Sequence, residues 1–203
     1  MQVWTISNQK GGVGKTTTTV ALGGIAAENG QRVLLVDLDP HGSLTSYFGQ
    51  DPDTIKNSCF DLFQNPSDIT LDKVAQLLLP TKYSNIVLLP ASTGLATLER
   101  RAIGKDGMGL VITKALAELK DEFDLVIIDS PPVLGVLLIN GLAACDRLII
   151  PVQTEFLALK GLDRMLHTLR MLEQSQKKSM KYVIVPTMYC LLYTYYAADE
   201  VRI

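Results

Sequence analysis

Cysteine is scarce in this chain of 203 residues: Cys59, Cys145 and Cys190 are odd in number and none stands in C-x-x-C spacing. That disfavours a disulfide framework, a zinc site and an iron–sulfur centre, and reduced thiols are the simplest account. Histidine is scarcer still. His41 and His167 lie far apart in the chain, which gives a histidine-based metal cluster little support. An excess of one charge sign is lacking too, since 19 lysines and arginines face 21 aspartates and glutamates. The net charge of −2 carries no overall footprint for nucleic acid, although a balanced total still has room for a local basic patch. Long apolar runs are also missing. The longest, 133–145, is too short to span a bilayer and contains Asn140, so it predicts a buried helix.

What the chain does have is 47% hydrophobic residues, enough for one substantial core and one domain. It is organised around the stretch 8–17, Asn-Gln-Lys-Gly-Gly-Val-Gly-Lys-Thr-Thr. An apolar strand at 3–6 precedes this stretch and a segment with helical apolar spacing, 18–27, follows it. Gly11, Gly12 and Gly14 therefore sit at a strand-to-helix turn. There the backbone amides, Val13 and Thr17 included, can turn inward around an anion, and the helix start adds unpaired donors. Lys15 can reach terminal phosphates and Thr16 can hold Mg²⁺. A glycine-rich surface turn with two solvated lysines is the plainer alternative; the agreement of strand, spacing and helix speaks against it.

The standard pattern G-x-x-x-x-G-K-[ST] wants glycine where Gln9 stands, and a second lysine, Lys10, precedes the glycines. The run KGGVGKTT resembles the deviant Walker A motif of the ParA/MinD family of ATPases. In that family the extra lysine reaches across a dimer interface to the partner's nucleotide, and the resemblance gives that role to Lys10. It implies ATP and Mg²⁺ as cofactors, with Lys10 and Lys15 catalytic.

A buried strand is predicted at 32–36, ending in Asp37-Leu38-Asp39-Pro40. Carboxylates at the carboxyl end of a parallel strand beside a phosphate loop lie where open α/β sheets place ligands. Asp37, Asp39, Pro40 and Gly42 resemble the family's D-x-D-P-x-G switch. The resemblance implies that Asp39 positions the attacking water, and Asp37 is placed in the outer Mg²⁺ shell. An Asx turn closing a strand is the competing account. The strand 123–129 ends in Asp129, a Walker B form whose carboxylate suits the ion that Thr16 holds. His41 and His167 are assigned no chemistry.

Further helices are expected at 43–48, 58–63, 72–79, 95–101, 109–119, 133–144 and 156–174, and strands at 85–89, 147–152 and 181–186. In the helix 109–119, Leu110, Ile112, Leu116 and Ala117 are read as one apolar face. Arg100, Arg101 and Lys105 read as a solvated helix end. Gln153 and Glu155 are left open between facing the nucleotide or a dimer seam and simple surface polarity. In the family the loop after the last strand closes over adenine, and Pro186 would begin it here.

The resemblance runs from Met1 to about Met188. Four of the seven tyrosines then fall between 189 and 196, and the segment 189–203 is read as an atypical tail, truncated or altered in frame, with a specialised docking tail as the alternative. Residues 1–188 are expected to form a P-loop α/β domain, a mostly parallel sheet with helices on both faces. The phosphate loop begins within ten residues of Met1, so no signal peptide and a cytoplasmic address, polar or nucleoid-associated, are expected.

The resemblance further implies a slow ATPase that dimerises with ATP, acts through a protein adaptor or cargo partner and has no membrane segment. Nonspecific DNA enters as a partner through the resemblance alone. Residues 36–49 look closest to ParA-like proteins of chemotaxis clusters, so positioning of chemotaxis arrays is the leading expectation. A plasmid or chromosome partitioning ATPase is the alternative, followed by an inactive nucleotide-binding scaffold. A metabolic ligase or an iron–sulfur ATPase sharing the loop comes last.

Overall fold

The computed structural model describes residues 1–98, 107–176 and 179–189. The cluster Arg100, Arg101 and Lys105, and the tail beyond Tyr189, lie outside these residues. Seven strands form a single sheet: β1 (Gln2–Ile6), β2 (Val33–Asp37), β3 (Leu79–Pro80), β4 (Ile86–Leu89), β5 (Leu125–Asp129), β6 (Arg147–Gln153) and β7 (Lys181–Thr187). Their order is β3-β4-β2-β5-β1-β6-β7, and every neighbouring pair is parallel except β3 with β4. The mostly parallel P-loop architecture read from the sequence is thus the one observed.

Among the described residues seven helices accompany the strands: α1 (Lys15–Glu28), α2 (Ser43–Tyr47), α3 (Cys59–Gln64), α4 (Leu71–Leu77), α5 (Val111–Glu118), α6 (Val136–Ala144) and α7 (Phe156–Gln176). All five residues of β2 and of β5 are buried, which is why both read as unbroken apolar runs and not as alternating ones. Val33, Leu35, Leu125 and Ile127 pack with Ala26 and Ala27 of α1 on one face; Leu34, Val36, Val126 and Ile128 meet Ile112, Ala115 and Leu116 of α5 on the other. Each such buried aliphatic side chain contributes about 1.5–3 kcal/mol relative to exposure, so two covered faces make the sheet a rigid platform. The third apolar group joins β6 to α6 and α7 through Leu138, Leu148, Ile150, Met165 and Leu169.

Several local expectations are corrected. β3 was not expected: helix α4 stops at Leu77, and Leu79 and Pro80 pair antiparallel with Leu88 and Val87. Proline is tolerated there because β3 is an edge strand, with no further neighbour among the described residues to receive an amide proton. The segment expected as a helix from Leu95 begins as a tight 3₁₀ turn, Thr93–Thr97. In α5 the buried face is Val111, Ile112, Ala115 and Leu116, whereas Leu110 and Ala117 are exposed, because the α-helix starts only after a 3₁₀ turn at Met108–Leu110. Asn140 is fully buried in α6, with Nδ2 donating to the carbonyls of Met108 and Val136 and Oδ1 accepting from the Ile112 amide. A polar group in a core needs such partners, and the two bonds to Met108 and Ile112 fix α6 against the start of α5.

Candidate functional site

Register places the site. Asp129 is the cross-strand partner of both Ile6 and Asp37, so β1, β2 and β5 end level at their carboxyl edges. The chain leaving β1 turns through residues 7–14 into α1. Asn8 pins the start of this loop, its Nδ2 donating to the Pro151 carbonyl and its Oδ1 accepting from the Lys10 amide. Val13 is fully buried, and its carbonyl accepts from Thr187 Oγ1 at 2.9 Å. Gly12 and Gly14 have φ of +73° and +87°, a region in which side chains are strained. A Cβ added to Gly11, Gly12 or Gly14 would touch nothing within 4 Å, so the space beside these three residues is open.

At the foot of the loop, Thr16 Oγ1 donates to Asp129 Oδ2 at 2.5 Å. The other oxygen, Asp129 Oδ1, is buried and has no hydrogen-bond partner among the described residues. Burial pushes the Asp129 carboxyl up to about 7, and the charge of Asp37 adds to this, against the pull of Thr16 and Lys15. Asp37 is pushed up to about 6, again chiefly by burial. Its Oδ2 accepts from the amide and hydroxyl of Thr45, at 2.8 and 2.7 Å, and its Oδ1 accepts from the Asp39 amide. Lys15 is lowered by burial and partly restored by Asp129 and Asp39. Two buried carboxyls of raised pKa beside an amine of lowered pKa are a site short of positive charge, and a bound cation relieves that shortage.

The residues therefore fit Mg²⁺ held between Thr16, the free oxygen of Asp129 and phosphate oxygens. Among the described residues no group of three or more His, Cys, Asp or Glu could hold a metal by itself.

A family described as "AAA domain" matches residues 1–182. The sporulation initiation inhibitor protein Soj of Bacillus subtilis is 40% identical over 169 residues, covering 83% of this chain and 65% of Soj. The chromosome partitioning protein ParA of Caulobacter vibrioides is 32% identical over 192 residues, covering 93% of this chain and 70% of the relative. This chain belongs to the ParA/MinD family of P-loop ATPases.

Solved structures share the fold. A Mycobacterium smegmatis structure described as cobyrinic acid a,c-diamide synthase with bound ATP analog and magnesium superposes with a TM-score of 0.86 at 37% identity, over all of this chain and 84% of that one. Apo McdA of Cyanothece gives 0.83 at 25% identity, over all of this chain and 82% of that one. The ParA/MinD-family chain described here spans 65% of Soj and 60% of the Myxococcus xanthus ParA it matches.

Within this family member the sequence-predicted residues divide by location. Lys15, Thr16, Asp37, Asp39 and Asp129 converge at the sheet's carboxyl edge. Asp37 has both oxygens engaged, so what the structure gives it is the holding of Thr45 and Asp39. Pro186 falls inside β7, in register with Val152, because the strand continues to Thr187; the loop expected to begin at Pro186 begins after Thr187. His41, assigned no chemistry, donates its amide to Asp39 Oδ1, and its Nδ1 lies 2.8 Å from the same oxygen. Lys10 is ion-paired with Glu155, and its Nζ lies 3.3 Å from Gln153 Oε1. Gln153 and Glu155, left open between the nucleotide or dimer seam and simple surface polarity, meet Lys10 of the phosphate loop. Thr45 was missed, and no signal within the segment 43–48 marks it.

Proposed function

We propose that this chain binds Mg²⁺-ATP at the 10–17 loop and acts as a slow, dimer-dependent ATPase switch that positions a cellular cargo through a protein adaptor. The observation that carries the reading is the Thr16–Asp129 contact with Asp129 Oδ1 left unpartnered beside Lys15. The loop amides of residues 11–17 and Lys15 hold the phosphates, and Asp39 orients water for in-line attack on the terminal phosphorus. Mg²⁺, when bound, offsets the charge that builds on the phosphate oxygens. Asp37, in the outer shell, keeps Thr45 and the Asp39 backbone in place. Lys10 completes the neighbouring subunit's site, so ATP binds the dimer more tightly and by linkage favours it. Pro186 and the turn after β7 lie toward the adenine.

As to cargo, the relatives named for chromosome partitioning, and a Borrelia burgdorferi structure described as a putative plasmid partition protein bound to AMPPNP (25% identity, TM-score 0.81), support a partitioning role. The chemotaxis-array reading rests on residues 36–49 alone. Among the described residues no helix is long and apolar enough to cross a membrane.

Phosphate release with Mg²⁺-ATP tests the core of the proposal. Wild type should turn over, and Asp39→Ala should fall by about 10²-fold while still binding ATP. Equal background from both would leave only a nucleotide-binding scaffold. ATP-dependent, salt-sensitive retention of nonspecific DNA supports partitioning, and its absence supports a cargo other than DNA.

A further inference from the structure

A cavity of about 390 Å³ opens on the α1 face of the sheet, away from the phosphate loop. Its floor is made by Val20, Gly24 and Ala27 of α1, with Ile86 behind them. Its rim is aromatic. Tyr47 and Phe48 meet edge-to-face with ring centroids 5.4 Å apart, and Phe48 meets Tyr83 in the same way at 6.1 Å. Tyr47 and Tyr83 remain 59% and 45% exposed, so the two outer rings face solvent across an apolar floor.

Among the described residues that line the groove, Glu28 alone carries a full charge. Glu28 lines it from the last turn of α1, where the helix already carries partial negative charge and no basic residue offsets it. Among the described residues Glu28 makes no ion pair. The π faces of the rings add further negative potential, and Tyr83 already takes an ammonium here, with Lys82 Nζ 5.1 Å from its centroid. An apolar floor, aromatic walls and an unpaired carboxylate select a cation on an apolar stem. The groove is open and does not enclose a ligand, which suits a side chain presented by a polypeptide better than a free small molecule.

We propose that this groove docks a lysine or arginine, flanked by apolar residues, from a partner protein. Both walls are rooted at the candidate nucleotide site: α1 begins at Lys15, and Thr45 of α2 holds Asp37. A partner seated between them therefore touches the two elements that frame the phosphates. The docking chemistry itself does not depend on the ATPase reading and is tested without nucleotide.

The ¹⁵N-labelled full chain is titrated with acetyl-Leu-Arg-Leu-amide and with the same peptide carrying Gln or Glu at its centre. The arginine peptide should produce saturable amide shifts at Gly24, Phe48, Tyr83 and Ser84 in the range of about 1–5 mM, at least about fivefold tighter than the glutamate peptide. Glu28→Gln, an exposed change that leaves folding intact, should weaken the arginine peptide about threefold and leave the glutamine peptide unchanged. Tyr83→Ala should weaken both. Equal affinity for arginine and glutamate, shifts centred elsewhere, no saturation, or an unchanged arginine affinity in Glu28→Gln would each overturn the proposal.

Discussion

Lys10, the lysine that precedes the glycines of the phosphate loop, is ion-paired with Glu155 just beyond β6 of its own chain. The pair spans 145 residues of sequence and holds the ammonium beside Gln153. A lysine bound in its own subunit is not free to serve a neighbour's nucleotide, so on the proposed mechanism the pair must open for dimerisation. Half-exposed pairs of this kind are worth about 0–1 kcal/mol. Glu155→Gln should therefore tighten the ATP-bound dimer by up to about fivefold. Lys10→Ala should abolish the nucleotide-dependent dimer while ATP binding persists. Molecular mass by light scattering, with ADP and with ATP on the Asp39→Ala background, reads both outcomes; if Lys10→Ala dimerises like its parent, the role given to Lys10 is wrong.

The two raised carboxyls set a pH dependence. The Asp129 carboxyl titrates near its ordinary 3.8 in the unfolded chain and at about 7 in the folded one. Between those values the folded state holds the extra proton, so stability is highest near the lower bound and falls as pH rises toward about 7. The unfolding midpoint of the metal-free protein should decline across that window. Asp129→Asn should flatten the decline, because it removes this titration. An equal slope in both proteins would show that other groups control it.

Thr45 is a sharper test of how the switch segment is built. Its hydroxyl donates to Asp37 Oδ2 and accepts from the Ala91 amide at 2.9 Å, joining the ends of β2 and β4. Thr45→Val leaves a buried amide unpaired and Asp37 short of a donor, at a cost of about 2–3 kcal/mol. Thr45→Ser keeps the hydroxyl and should lose less than about 1 kcal/mol. Urea denaturation midpoints distinguish the two.

Gly42 stands three residues after Asp39 with φ +60°, and a Cβ there would lie 2.5 Å from the Cβ of Pro52. Gly42→Ala should destabilise by about 2 kcal/mol or more, from backbone strain and overpacking together. Thermal unfolding should show the loss. A neutral result would mean that the 50–53 loop yields freely.

Much of this was legible beforehand because it depends on local order. β2 and β5 are apolar without interruption since both faces of the sheet are covered, and the glycine loop is defined by neighbours within ten residues. Partnerships across the fold were harder to see. Nothing near Glu155 announces Lys10, and nothing near Thr45 announces Asp37, because register and loop path bring them together. β3 escaped notice for a different reason: two residues, one of them proline, carry no period.

One hydroxyl gives the outermost strand a say in the phosphate loop. Thr187, at the end of β7, donates to the Val13 carbonyl, while Tyr182, Val183 and Ile184 of the same strand lie open to solvent. The sheet's border and the backbone of the anion cradle are thus laced together by a single stitch.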